Sequence, residues 1–150
     1  MTTRIGVPSG TVTFLFTDVE GSTHLWSDDP EAMSASLRAH DDIVRSAIEE
    51  CGGYVFTTAG DAFCAAFQRA TDGVAAAMSM QARLSAAVWP GPALRVRAGL
   101  HLGEAEERNG DYFGPVVNLA ARVESAGHGG QTLVTDVVRQ AAQSEAQDLG

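Results

Sequence analysis

Apolar positions along the chain fall into runs whose spacing switches between two residues and three or four. Residues 11–17 form a β-branched and aromatic run between Ser9-Gly10 and Asp18, which predicts a strand buried on both faces. A loop, Asp18-Val19-Glu20-Gly21-Ser22-Thr23, leads into a short helix starting near Ser22. Over residues 30–50, Met33, Leu37, Ile43, Val44 and Ile48 recur near helical spacing. Asp28 or Asp29 can cap that helix and Gly52-Gly53 can stop it. Residues 54–57 and 61–67, broken at Ala59-Gly60, predict a β-hairpin. The Ala-rich stretch 71–88 predicts a second long helix with Val74, Met78, Ala82 and Leu84 toward a core, closed by Pro90-Gly91-Pro92. Residues 94–102 alternate apolar residues with Arg95, Arg97, Gly99 and His101, the period of a half-buried strand, and Gly103 should begin the turn. A polar strand or arm over 104–109, a helix over 115–126, a strand over 132–134 and a helix over 136–146 complete the chain. The order β-α-β-β-α-β-β-α-β-α predicts an α/β sandwich, with one mixed or antiparallel sheet and helices on its faces.

The chain has 150 residues, enough to bury a core as one domain, residues 1–150, without a disulfide or metal staple. Its longest apolar runs, 12–16 and 62–67, are far short of the ~20 residues of a membrane-spanning helix. The N-terminus has one basic residue and no apolar core of a signal peptide, so a cytoplasmic location is expected, with no membrane partner. A formal charge of -9 opposes the phosphate attraction on which nucleic-acid binders rely. All ten basic residues are Arg, which excludes a P-loop ending in GK[ST]. Cys51 and Cys64 read as reduced core thiols. His24, His40, His101 and His128 lack metal-ligand spacing and are expected at the surface or an interface; Trp26 and Trp89 are expected to anchor packing. Glu104, Glu106 and Glu107 belong to a solvated or arm-like face.

Two carboxylates change the picture. Asp18 ends the first strand and Asp61 begins the second arm of the hairpin. Neighbouring strands lie about 4.8 Å apart, so on adjacent strands both could converge on one or two hard cations. Mg²⁺ favours one or two carboxylates, with water and phosphate oxygens completing an octahedron, and two such ions can clamp an in-line phosphoryl displacement. Taken singly, Asp18 could merely cap the helix near Ser22 and Asp61 could be an ordinary turn residue. The loop from Val19 to Thr23 opens a helix whose first N–H groups attract phosphate. Asn118 and Arg122 lie four apart on one helical face, where an Arg offers permanent, bidentate charge to phosphate.

The stretches Phe14-Leu15-Phe16-Thr17-Asp18-Val19-Glu20-Gly21-Ser22-Thr23, Thr58-Ala59-Gly60-Asp61-Ala62-Phe63 and Gly110 through Val123, which holds Asp111, Asn118 and Arg122, together resemble the class III nucleotidyl (adenylate/guanylate) cyclase catalytic domain. The resemblance runs from about Gly10 to Thr135. It implies a ferredoxin-like, palm-type α+β fold with a mainly antiparallel sheet. It further implies that Asp18 and Asp61, with the backbone of Val19, hold two Mg²⁺ or Mn²⁺ ions, and that Glu20, Gly21 and Ser22 approach the phosphates. Asn118 and Arg122 are implied to orient the ribose and stabilise the α-phosphate as the 3′-hydroxyl attacks it, closing a 3′,5′-cyclic nucleotide and releasing pyrophosphate. Family members act as head-to-tail dimers with sites across the interface, so a homodimer with ATP, or alternatively GTP, as substrate is expected.

The sequence departs from the family at two places. The base-reading position four residues before Asp61 is Thr57 where adenylate cyclases carry Lys; the other, seven before Asn118, is Asp111, which can accept from an adenine amino group. Family domains also continue into a closing pair of strands, and here the chain stops at Gly150, so the fold is expected without them. The leading expectation is ATP conversion to cyclic AMP; the rival is a weak or silent cyclase-like module that dimerises and binds nucleotide.

Overall fold

The computed structural model describes residues 7–149; residues 1–6, on which the reading of the N-terminus rests, and Gly150 lie outside the described residues. The elements are β1 (Thr11–Val19), α1 (Ser22–Asp28), α2 (Pro30–Glu50), β2 (Tyr54–Ala59), β3 (Ala62–Phe67), α3 (Ala70–Ala86), β4 (Val96–Glu104), β5 (Glu106–Arg108), β6 (Asp111–Phe113), α4 (Pro115–Ser125), β7 (Thr132–Val134) and α5 (Asp136–Leu149). Strands β2-β3-β1-β4-β7 form one sheet in that order, and β5-β6 form a separate ribbon. Neighbours pair antiparallel except β4 with β7, which run parallel. The expected mixed, mainly antiparallel sheet with helices on its faces is therefore the observed one. Among the described residues no helix is long and apolar enough to cross a membrane.

Side-chain alternation on β1 assigns the two faces. Leu15 and Val19 point into the larger core, where Met33, Val44 and Ile48 of α2 meet Phe67, Met80, Leu84 and Leu100. Val12 and Phe14 point the other way, into a smaller core with Tyr112 and Ala120. Phe56 packs edge-on against Phe14 and Tyr112, with ring centroids 5.9 and 4.9 Å away. Asp18 shares this second face, two residues beyond Phe16.

The helix stripes differ in detail from the expectation. On α2 the buried positions are Met33, Ser36, His40, Val44, Ala47 and Ile48, so His40 is a fully buried histidine and not a surface one. Ser36 sits on this stripe because its hydroxyl donates to the Pro92 carbonyl at 2.7 Å. The α3 stripe is Gly73, Ala76, Ala77, Met80 and Leu84, leaving Met78 67% exposed and Ala82 exposed. In an Ala-rich helix several stripes have nearly equal hydrophobicity, and the small residues won because α3 lies close on the sheet. Asp29 is the N-cap of α2, accepting from the Ala32 amide at 3.1 Å, and Gly52, at φ +77, ends it in the left-handed geometry typical after a helix.

Helix α4 is seated by a glycine. A Cβ at Gly99 would overlap the backbone nitrogen and Cα of Glu124, so the helix backbone rests directly on β4 at the strand position paired with Phe16. Gly99→Ala should therefore push α4 off the sheet and cost about 2 kcal/mol, the usual range for overpacking a core. Urea denaturation measures this, and an unchanged midpoint would refute the seating.

Candidate active site

The end of β1 gathers most of the expected residues. Asp18 lies within the strand, which runs one residue further to Val19. It does not cap α1: the N-cap is Gly21, at φ +69, with no side-chain cap. Glu20 and Gly21 make the tight exit from β1, the Glu20 amide donating to the Arg95 carbonyl at 2.9 Å, and Ser22 opens α1. Asp61 sits in the turn between β2 and β3 and not in the second arm. The β1–β3 pairing ends at Thr17↔Phe63; one step further sets Asp18 opposite Ala62, the residue after Asp61. The two aspartates are thus neighbours at adjoining strand ends. Asp61 is half-buried and has no hydrogen-bonding or ionic partner among the described residues.

Asp18 is engaged by residues the sequence did not single out. It pairs across the sheet with Arg97 of β4, whose Nε and one terminal nitrogen donate to its two oxygens at 2.8 and 2.7 Å, a bidentate, charge-assisted pair. Burial pushes the Asp18 carboxyl up, but the hydrogen bonds from Arg97 and Glu124 and the guanidinium charge outweigh it and hold Asp18 below the usual carboxylate value. On the other side lies Glu124 of α4, 6% exposed, whose Oε1 receives no hydrogen bond. Burial first, then the hydrogen bond to Asp18 and its negative charge, push the Glu124 carboxyl up to about 8. The proximity of Asp18 thus favours the neutral, protonated form of Glu124, which relieves a clash of like charges.

Thr57 and Asp111 lie on β2 and on the ribbon beside it. The β2–β3 register shifts between Val55 and Thr57, and this bulge places Phe56 in the smaller core while Thr57, opposite Cys64, keeps to the same face. Asp111 opens β6, its carboxylate accepting from the Tyr112 amide at 2.8 Å. The Tyr54 hydroxyl donates to the Gly110 carbonyl at 2.9 Å, pinning the β5–β6 ribbon over β2. On β3, opposite Thr57, burial, then the charges of Glu124 and Asp111, push the Cys64 thiol up to about 12. Both cysteines are free and half-buried.

Asn118 and Arg122 stand apart from this cluster. Both are exposed on α4, whereas Ala120 and Glu124 of the same helix are buried. With Gly114, Pro115 and Ala121 they line a shallow, open hollow of about 510 Å³, on the side of the helix turned away from Asp18. The chain brings Asp18, Arg97 and Glu124 together, with Asp61 at the adjoining strand end, but does not bring Asn118 and Arg122 to the aspartates.

As to a cation, two adjacent carboxylates are the donor set Mg²⁺ or Mn²⁺ takes when water and phosphate oxygens fill the remaining positions. Among the described residues no group of three or more His, Cys, Asp or Glu could hold a metal ion by itself, so the pair fits a cation bound together with a phosphate-bearing substrate.

The Glu124 geometry sets a pH dependence. Its folded value, about 8, lies above the roughly 4.3 of an unfolded chain, so the folded state binds more protons between these limits and loses stability as pH rises through them. Glu124→Gln, which keeps a donor toward Asp18 but cannot ionise, should gain on wild type from pH 5 to pH 8. Urea midpoints across that range test this; a constant difference would contradict the buried proton.

Residues 6–149 match the profile of the adenylate and guanylate cyclase catalytic domain. The chain is 44% identical over 130 residues to an uncharacterized protein of Mycobacterium tuberculosis, the match covering 85% of this chain and 44% of that one. It is 37% identical over 160 residues to an adenylate cyclase of Lachancea kluyveri, across 89% of this chain and 9% of that protein. It thus spans less than half the length of these relatives. Among solved structures, an adenylate cyclase of Trypanosoma brucei in its monomeric state superposes with a TM-score of 0.87 at 26% identity, covering 99% of this chain and 82% of that one. An adenylate/guanylate cyclase/hydrolase from Silicibacter pomeroyi superposes with a TM-score of 0.77 at 25% identity, covering 90% and 81%. With the motifs at β1, the β2–β3 turn and α4 in the family's order, this chain belongs to the class III adenylate/guanylate cyclase catalytic domains.

Proposed function

We propose that the chain is an adenylate cyclase that forms 3′,5′-cyclic AMP and pyrophosphate from ATP at sites completed by a second copy of itself. The observation that carries this reading is the division of α4: Glu124 turns inward to Asp18 while Asn118 and Arg122 face outward. One chain therefore holds both halves of a site without closing either. Two copies arranged head to tail would set the Asn118–Arg122 face of one against the Asp18–Asp61 end of the other, giving two composite sites.

In such a site Asp18 and Asp61, with the Val19 backbone, would hold two Mg²⁺ or Mn²⁺ ions, which when bound supply Lewis-acid polarisation of the phosphates. Glu20, Gly21 and Ser22 shape the turn beside the phosphates, where the amides opening α1 point outward. Asn118 orients the ribose so that its 3′-oxygen lies in line with the α-phosphorus; Arg122 lays a permanent charge against the α-phosphate as negative charge builds there. The 3′-hydroxyl gives up its proton to solvent as its oxygen bonds to the α-phosphorus and the bond from that phosphorus to the pyrophosphate oxygen breaks. Asp111 accepts from the adenine amino group, and Thr57 offers a hydroxyl to the ring.

Complementation tests the arrangement. Asp18→Ala and Arg122→Ala should each lose cyclic AMP formation. Mixed in equal amounts they should recover about a quarter of the wild-type rate, since half the dimers are mixed and each mixed dimer keeps one intact site. Wild-type rate should rise faster than linearly with protein concentration. Absence of recovery, with both variants folded and dimeric, would refute the shared site. A second test concerns the base: Thr57→Lys adds a charged hydrogen bond worth about 1.5–3 kcal/mol and should raise the preference for ATP over GTP on the order of tenfold or more. Parallel assays with both nucleotides decide it; an unchanged ratio would remove position 57 from base recognition.

A further inference from the structure

We propose that Arg97 is a latch on Asp18: in the resting chain its guanidinium stands where a divalent cation would, and a phosphate group must draw it off before the cation can bind. The inference rests on the reading of Asp18 as a cation ligand. Its basis is that Arg97 occupies both carboxylate oxygens at once, Nε on Oδ1 at 2.8 Å and a terminal nitrogen on Oδ2 at 2.7 Å. Asp18 cannot turn aside to free an oxygen. It lies inside β1 with its backbone in the ladder opposite Arg97, and the wall behind it is Glu124, on a helix seated directly on Gly99. The two side chains are 28% and 25% exposed, so water screens their attraction only in part. Asp61, by contrast, has no partner among the described residues. The two aspartates thus start in different states, one open and one closed.

A displaced guanidinium needs an anion. The acidic groups whose charge reaches Arg97 besides Asp18 are Glu124 and Glu20; Glu124 already faces Asp18, and Glu20 lies beyond the end of the strand. Phosphate oxygens match the planar fork of Arg bidentately, and Arg stays charged under all working conditions. Moving Arg97 from carboxylate to phosphate therefore exchanges one bidentate ion pair for another while vacating Asp18. Cation and phosphate then favour each other's binding through a single side chain, and by linkage the effect is reciprocal. A stray divalent cation without substrate would meet a site whose charge is already neutralised.

The test is Mn²⁺ binding to the whole purified chain without nucleotide, read by electron paramagnetic resonance of the free ion. Arg97→Gln should bind Mn²⁺ at least about fivefold more tightly than wild type, and Arg97→Lys, which keeps the charge but loses the fork, should fall between them. Wild-type affinity in Arg97→Lys would overturn the latch, because the effect would then be one of charge alone. Asp18→Asn in the Arg97→Gln background separates the underlying reading: if the double variant binds Mn²⁺ as tightly as Arg97→Gln does, Asp18 is no ligand and that reading fails, whereas loss of that gain in the double variant together with wild-type affinity in Arg97→Lys defeats the latch only. In metal-free protein, pyrophosphate should shift the ¹⁵N resonance of the Arg97 Nε, identified by its absence in Arg97→Lys. A resonance that stays in place would overturn the role of phosphate.

Discussion

The contact between α4 and Gly99 governs the geometry of the whole site. A helix backbone can rest on a strand only where the strand residue has no side chain, and Gly99 provides that opening beside Arg97 and opposite Phe16. Once α4 is fixed there, its 3.6-residue period settles the rest. Glu124 must point down at the end of β1, Ala120 must enter the smaller core, and Asn118 and Arg122 must look outward. No rotamer choice could bring Arg122 and Glu124 into the same cavity, because they lie nearly opposite each other around the helix. The functional division of α4 is therefore a property of the backbone and precedes any choice of side chain.

Electrostatics at the β1 end follow from that placement. Three ionisable side chains, Asp18, Arg97 and Glu124, converge at this partly buried strand end, with one cation for two acids. A buried pair of carboxylates beside one guanidinium cannot keep both charges cheaply, and the structure resolves this asymmetrically. Asp18 takes the bidentate partner and stays below the normal range, while Glu124 is pushed up to about 8. The result is a carboxylate whose orientation is set by the two Arg97 donors, with Glu124 as the wall on its other side.

Much of this was legible in the sequence, for identifiable reasons. Strand β1, helix α2, the β2–β3 hairpin and β4 each carry a long periodic pattern or a clear stop signal such as Gly52, and each formed near its expected place. The small ribbon strand β6 was missed because Asp111–Phe113 has only three residues and gains its order from the Tyr54 hydroxyl on Gly110, a contact between distant segments. On α3, Val74 and Leu84 face the core as expected, whereas Met78 and Ala82 do not, because alanine gives little contrast between faces. Asp18 and Asp61 stood out as carboxylates at strand ends, yet Arg97 and Glu124 did not. An arginine alternating with apolar residues looks like a solvated strand face until the neighbouring strand is known, and a glutamate near a helix end looks solvated until a glycine lets the backbone approach. Both signals depend on β1 and β4 being partners, and periodicity within one segment cannot supply that.

The same reasoning bears on why a site of this kind would be shared between two copies. A two-cation phosphoryl site needs carboxylates on one side of the α-phosphate and a permanent positive charge on another, with the reacting oxygen in line between them. Placing all of these on one small sheet would set Arg122 beside Asp18, where it would form an ion pair with the aspartate, as Arg97 does. In the proposed dimer, Arg122 on the outward face of α4 would keep its charge uncommitted until a second chain supplied Asp18 and Asp61. Separation across such an interface would protect the Arg122 charge from neutralisation within its own chain. In the proposed reading, dimerisation contributes this electrostatic separation as well as geometry.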